Sequence, residues 1–152
     1  MTPPQVTAGM VATAFRRIPL PALRAHTQPA GKTLIYFDTI FYTDAQPLTR
    51  TLTLLGQRVR LQIIPSTFRW VHGDGTMAVT SKPGAPYPAK DILYRYQHAH
   101  TTVQHHVEVT WTARFSLNGG ALQPVPGTVT TVGPATPLRI AEAAPVLTGT
   151  GH

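Results

Sequence analysis

Histidine is the one plentiful side chain here with ligand or proton-transfer chemistry: His26, His72, His98, His100, His105, His106 and His152. A neutral imidazole binds a metal or carries a proton near neutral pH. The densest run is His98 to His106. In an extended chain, residues of equal parity share a face, so His98 and His100 would stand together. His105 falls on an apolar face and His106 on a polar one, so these two diverge. His106 and Glu108 share the polar face, which suits a hydrogen-bonded pair or a weak metal site. The expectation is a set of solvated histidines at a hairpin tip with one buried member, and no resident metal or cofactor.

Other chemistries have less to stand on. The chain has no cysteine, which removes thiol catalysis, disulfides and cysteine-based zinc sites. The three serines, Ser66, Ser81 and Ser116, lack a Gly-x-Ser-x-Gly elbow. Six acids could pair only through folding, as Asp38 and Asp91 would, because no spacing argues for it. Gly73-Asp74-Gly75 lacks the Lys-Ser/Thr that completes a phosphate-cradling loop. No catalytic residue is therefore assigned, and the chain reads as a non-enzyme. Tyr36, Phe41, Tyr42, Tyr87 and Trp111 would make a sugar-stacking platform if two stood exposed together. Strand parity turns most of them inward. Tyr87, between Pro86 and Pro88, is the loop aromatic left as a contact candidate.

The elements that must position these residues follow from period and punctuation. The chain has 152 residues, enough for one domain, with 12 Gly and 15 Pro against 19 formally charged side chains. Residues 1–31 read as an arm interrupted by Pro3, Pro4, Pro19, Pro21 and Pro29. Met10, Val11, Ala14, Phe15 and Ile18 recur at helical spacing. The prolines nevertheless favour an extended segment laid over a sheet edge. From Thr33 the period becomes two. Leu34-Ile35-Tyr36-Phe37 and Ile40-Phe41-Tyr42 are strand pieces. Leu52 and Leu54, a turn at Gly56-Gln57, and then Val59, Leu61 and Ile63 make a hairpin.

Phe68, Trp70 and His72 form the next even-numbered face, and Ile92, Tyr94 and Tyr96 another. From Val103 to Phe115 the odd positions are apolar except His105, and the even positions are all polar. Val125 to Val132 and Leu138 to Ile140 close the series. Seven to nine strands with glycine or proline turns predict an all-β sandwich over residues 32–148 with a tail at 149–152.

The segment Phe68-Arg69-Trp70-Val71-His72-Gly73-Asp74-Gly75, followed by Thr80 and by Tyr94-Arg95-Tyr96 before a long alternating strand, resembles a PKD domain. These are immunoglobulin-like β-sandwiches with a Trp-x-Phe-Gly-Asp-Gly turn and a later His-x-Tyr strand. His72 stands at the phenylalanine of that pattern, Tyr94 at its histidine and His100 at a following glycine. Gly31-Lys32-Thr33-Leu34, Phe37-Asp38-Thr39, Leu55-Gly56-Gln57-Arg58-Val59 and Pro83-Gly84-Ala85-Pro86-Tyr87-Pro88 also resemble a family of secreted bacterial PKD-like proteins with no assigned activity. The resemblance implies an extracellular or cell-surface module. The residues themselves assign Trp70 to the core, Gly73 and Gly75 to positive φ, and Asp74 to backbone amides of the turn. Calcium at Asp74 is the rival reading. It would want six to eight oxygens, and no other acid lies between Asp44 and Asp91.

The net charge is +7 with neutral histidines and the pI about 10.4. This favours anionic partners, including an anionic cell-surface polymer. The cations are scattered, with Arg16-Arg17 adjacent and Arg58 and Arg60 the nearest thing to a stripe, so sequence-specific nucleic-acid recognition is not expected. Arg58, Arg60 and Arg114 should face solvent and act as diffuse charge rather than a shaped anion pocket. No apolar run approaches the roughly 20 residues that span a bilayer. Met1-Thr-Pro-Pro lacks the basic start and apolar core of a signal peptide, so the chain reads either as a protein working where it is made or as a mature segment. The expected partner is a protein or a glycan, and the alternative role is a subunit of a virion or filament joined through its arm.

Overall fold

The computed structural model describes residues 5–143. The expected tail at 149–152, residues 144–148 of the expected domain, Pro3, Pro4 and His152 lie outside that range. Among the described residues the fold is all-β with one short helix. Along the chain run α1 (Ala8–Arg17), β1 (His26–Gln28), β2 (Lys32–Leu34), β3 (Thr39–Tyr42), β4 (Leu48–Leu54) and β5 (Gln57–Val71). They are followed by β6 (Met77–Thr80), β7 (Leu93–Tyr94), β8 (Thr101–Leu117), β9 (Gln123–Pro124), β10 (Val129–Val132) and β11 (Thr136–Ala141). Strands of two or three residues raise the number above the seven to nine expected.

The first correction concerns the arm. Residues 8–17 are helical, not extended. The prolines bracket the helix instead of interrupting it. The Thr7 hydroxyl accepts from the Met10 amide at 3.2 Å, capping the first turn. Arg16 and Arg17 occupy the last turn, where cations favour the dipole, and Ile18 turns extended before Pro19. Val11, Ala12 and Phe15 bury the apolar stripe in the main core. The segment then packs back on the strands. At Gly133 a Cβ would strike the Leu23 carbonyl, and the Gly133 amide donates to Val107 O at 2.9 Å, so glycine lets two backbones touch.

A second correction concerns Leu34-Ile35-Tyr36-Phe37. β2 stops at Leu34 because Tyr36 adopts φ 64° and its amide donates to Tyr96 O at 2.9 Å. Tyr36 and Phe37 consequently project into solvent, 61% and 56% exposed. The β4–β5 hairpin forms as read, although its two-residue loop is Leu55–Gly56, with φ 50° and 76°, and Gln57 already pairs with Leu54. Positive φ at both loop residues gives the turn a twist that matches the strands.

One sheet has the order β1-β3-β7, and a larger one runs β2-β11-β8-β5-β4, with β6 joined to β5 and β9 and β10 to β8. The 15-residue β5 and 17-residue β8 form the antiparallel spine. Odd positions of β8 from Val103 to Phe115 are all buried, as alternation predicts. β5 behaves differently. Val59, Leu61 and Ile63 face inward before a register shift between Pro65 and Thr67, and Phe68 and Trp70 face inward after it. The extra residue is Ser66, whose hydroxyl donates to Thr110 O at 3.0 Å. Phe41 of β3 meets Trp70, His72 and His105 of the larger sheet edge-on, joining the two sheets through rings.

Candidate functional site

The signature turn is built on the end of β5. Trp70 is fully buried and its Nε1 donates to the Thr80 hydroxyl at 3.0 Å, so its polar edge is satisfied inside the core. The chain then reverses through Gly73 and Gly75, at φ 90° and 92°. At Gly73 a Cβ would lie 2.5 Å from Gln104 O, so glycine is needed for space as well as for φ. The His72 amide donates to Thr76 O at 3.1 Å across the loop.

Polar side chains tie this loop to β7. The Thr76 amide donates to Asp74 Oδ1 at 3.0 Å, as expected for a carboxylate closing a turn. The Thr76 and Tyr94 hydroxyls both donate to the same carboxylate. Tyr96 donates its hydroxyl to His72 O at 2.8 Å from a buried position. The His72 ring stacks on Tyr94 with centroids 3.8 Å apart and planes 2° off parallel. Its Nδ1 lies 2.9 Å from the Thr76 hydroxyl. Partial burial pushes Asp74 up, but hydrogen bonds from Thr76 and Tyr94 outweigh it and hold the carboxyl below its ordinary range. Burial lowers the His72 pKa against the opposing pull of Asp74, and burial beside Asp74 raises those of Tyr94 and Tyr96. Thr76, the hub of this network, was missed in the sequence. Its one signal was its position two residues after Asp74.

The structure divides the His98–His106 group. His98 and His100 do not share a strand face, because both lie in the loop before β8. His100 sits at φ 62° with its amide on Ile140 O at 2.8 Å, which breaks the extended run. Its Nε2 lies 3.2 Å from Glu142 Oε2, with both groups in solvent. His106 and Glu108 do pair, Nε2 to Oε2 at 2.9 Å, and Arg69 joins at 3.7 Å to the other oxygen. His105 is the buried member, 1% exposed, and its Nδ1 has no hydrogen-bond partner. Burial, with His72, His106 and His26 nearby, lowers its pKa to about 4. Among the described residues, no three His, Asp or Glu side chains converge as metal ligands.

Tyr87 is 68% exposed, its amide donates to Gln28 Oε1 at 2.6 Å, and Lys90 Nζ stands 6.0 Å above its ring. Of the other ring candidates, Phe41 and Trp111 are buried, while Tyr36 is not. Arg58, Arg60 and Arg114 face solvent, as parity required. Among the described residues, no helix is long and apolar enough to cross a membrane. Compared with known proteins, the chain shows no significant match to any family model, curated protein or solved structure.

Proposed function

We propose that the chain is a non-catalytic, immunoglobulin-like or PKD-like β-sandwich module. Exposed outside the cell or on its surface, it would mediate contact with a protein or a glycan. The observation that carries this reading is how the signature residues are used. The Asp74 carboxylate is taken by Thr76 and Tyr94, and the Tyr96 hydroxyl by the His72 carbonyl. These groups hold the turn that follows the buried Trp70, which is a structural role. His100, at the position where that pattern has glycine, adopts a φ that glycine favours. Fold analogy carries the rest of the argument.

The alternative, a subunit joined to its neighbours through the N-terminal arm, is less well supported. Phe15 and Val11 lie in the chain's own core, and β1 pairs with β3 of the same chain. The deciding experiment displays the full chain on an array of glycans and cell-surface proteins while its mass in solution is measured. Selective capture by a monomer is expected. Regular oligomers that form without any ligand would favour the assembly role.

A further inference from the structure

The larger sheet carries an unneutralised arginine cluster. Antiparallel register places Arg60 opposite Ser116 on one side and Thr51 on the other, with Gln62 opposite Arg114 and Arg58 opposite Thr53. Directly paired residues project from the same face, so Arg58, Arg60 and Arg114 share the outer face with Thr51, Thr53, Gln62 and Ser116. All six acids of the chain lie elsewhere in sequence: Asp38, Asp44, Asp74, Asp91, Glu108 and Glu142. Glu108, on the same face of β8, is six residues from Arg114, about 20 Å along a strand, and is already engaged by Arg69 and His106. None of the three arginines makes an ion pair among the described residues.

The cluster has shape as well as charge. Arg58, Arg60, Gln62, Ser116, Gly120 and Leu122 line a cleft of about 370 Å³. A second hollow of about 510 Å³, between Thr53, Gly56 and Asn118, adjoins it and shares Arg58 and Gly119. Asn118 fixes this end of the face. Its side-chain Oδ1 accepts from the Arg58 amide at 2.9 Å, and its own amide donates to Arg58 O at 2.9 Å. The strand beneath the guanidinium is thereby held in register with the turn that forms the cleft wall. Arg58 and Arg60 thus border a shaped cleft, whereas the scattered cations of the sequence suggest diffuse charge alone.

We infer that this face is a binding site for the sulfate or carboxylate groups of an anionic glycan, with Arg58 and Arg60 as the primary contacts and Arg114 extending them. This deepens the module reading and rests on it only in the choice of a glycan. Guanidinium groups bind such oxyanions through paired N–H donors. Thr51, Thr53, Gln62 and Asn118 around them offer hydrogen bonds to sugar hydroxyls, while Ser116 is buried beneath the cleft. Neither hollow is lined by an aromatic ring of the kind on which nucleic-acid bases stack.

The test is fluorescence anisotropy with a labelled heparin oligosaccharide at about 150 mM salt, where attraction between distant charges is largely screened. Arg60→Gln and Arg58→Gln should each weaken binding about tenfold, the scale of one lost charge-assisted contact. Arg60→Lys keeps the charge but loses the planar fork, and should still bind several-fold more weakly. Arg16→Gln, on the exposed side of α1, removes the same charge and should change nothing. Thermal melts of each variant exclude unfolding. Equal losses in Arg16→Gln and Arg60→Gln, or an Arg60→Lys variant matching wild type, would refute the site. Tighter binding of single-stranded RNA than of heparin would refute the ligand class. Capture of neutral glycans alone would also refute the site, yet leave the module reading standing. Cleavage of heparin bound through Arg60 would do the reverse.

Discussion

Mild acid should reveal what it costs to keep His105 neutral. The ring is buried edge-on to Phe41, and its Nδ1 finds no partner. Its pKa in the fold is about 4, against an ordinary value of 6.5. Between those values the unfolded chain binds a proton that the folded chain refuses, so stability rises with pH across the window. The contribution is fully present above about pH 6.5 and declines as pH falls toward 4. The gap corresponds to about 3 kcal/mol in all, with roughly 2 kcal/mol lost between pH 7 and pH 5. That is a large share of a small domain's stability. His72, lowered by burial, adds a loss of the same sign, and Asp74, also lowered, adds one at still lower pH. The assay must therefore compare proteins as well as pH. Urea midpoints for wild type and His105→Leu at about pH 7, 6 and 5 isolate the term. The variant should be no less stable at pH 7, because it removes an unsatisfied buried nitrogen. It should also lose about 2 kcal/mol less on acidification. Parallel pH profiles for the two proteins would refute the reasoning.

Three further outcomes are expected. Trp70→Ala should cost ~3–5 kcal/mol, as large aromatic truncations in cores do; a variant melting within a few degrees of wild type would show that the ring does not anchor the core. Gly73→Ala should destabilise by at least about 2 kcal/mol, since the methyl meets Gln104 O, whereas Gly75→Ala, with open space around it, should cost only about 1 kcal/mol for its φ. Equal costs in chemical denaturation would argue against the close backbone approach. Tyr94→Phe should cost about 1 kcal/mol and move the Asp74 pKa upward by removing a hydrogen-bond donor to the carboxylate. Carboxyl-carbon NMR titration reads that shift, and an unmoved Asp74 would contradict it.

The sequence made some of this molecule legible and concealed other parts for definite reasons. β8 could be read residue by residue, because alternation over thirteen positions leaves no competing period. Its one inward histidine was found by parity alone. The helix is obscured because the flanking prolines signal interruption, although Thr7 and the Arg16-Arg17 pair mark its two ends. The turn at Tyr36 carried no warning, since a tyrosine at φ 64° is dictated by the backbone bond to Tyr96 O and not by its own type. Of the arginine face, Arg58 and Arg60 stood out as a stripe. Arg114 joins them only through the long-range pairing of β5 with β8, which no local pattern reports. Thr76 looked like an ordinary loop residue until the fold brought Tyr94 to it.

The single extra residue in β5 has a consequence for how this chain can change over time. Ser66 inverts the reading frame of the strand, so that odd positions point inward before it and even positions after it. Were it deleted, Pro65 and Thr67 would become neighbours that already face Trp111 and Thr110 in succession, and the ladder would close into unbroken alternation with Phe68 and Trp70 still inward. Loss of a different residue from the strand would put one segment out of phase with β8, unless Ser66 moved into the ladder to fill the gap. Ser66 is thus the strand's one spare residue: the ribbon can absorb a single deletion through it, and a second would have to turn Arg69 or its neighbours toward the core.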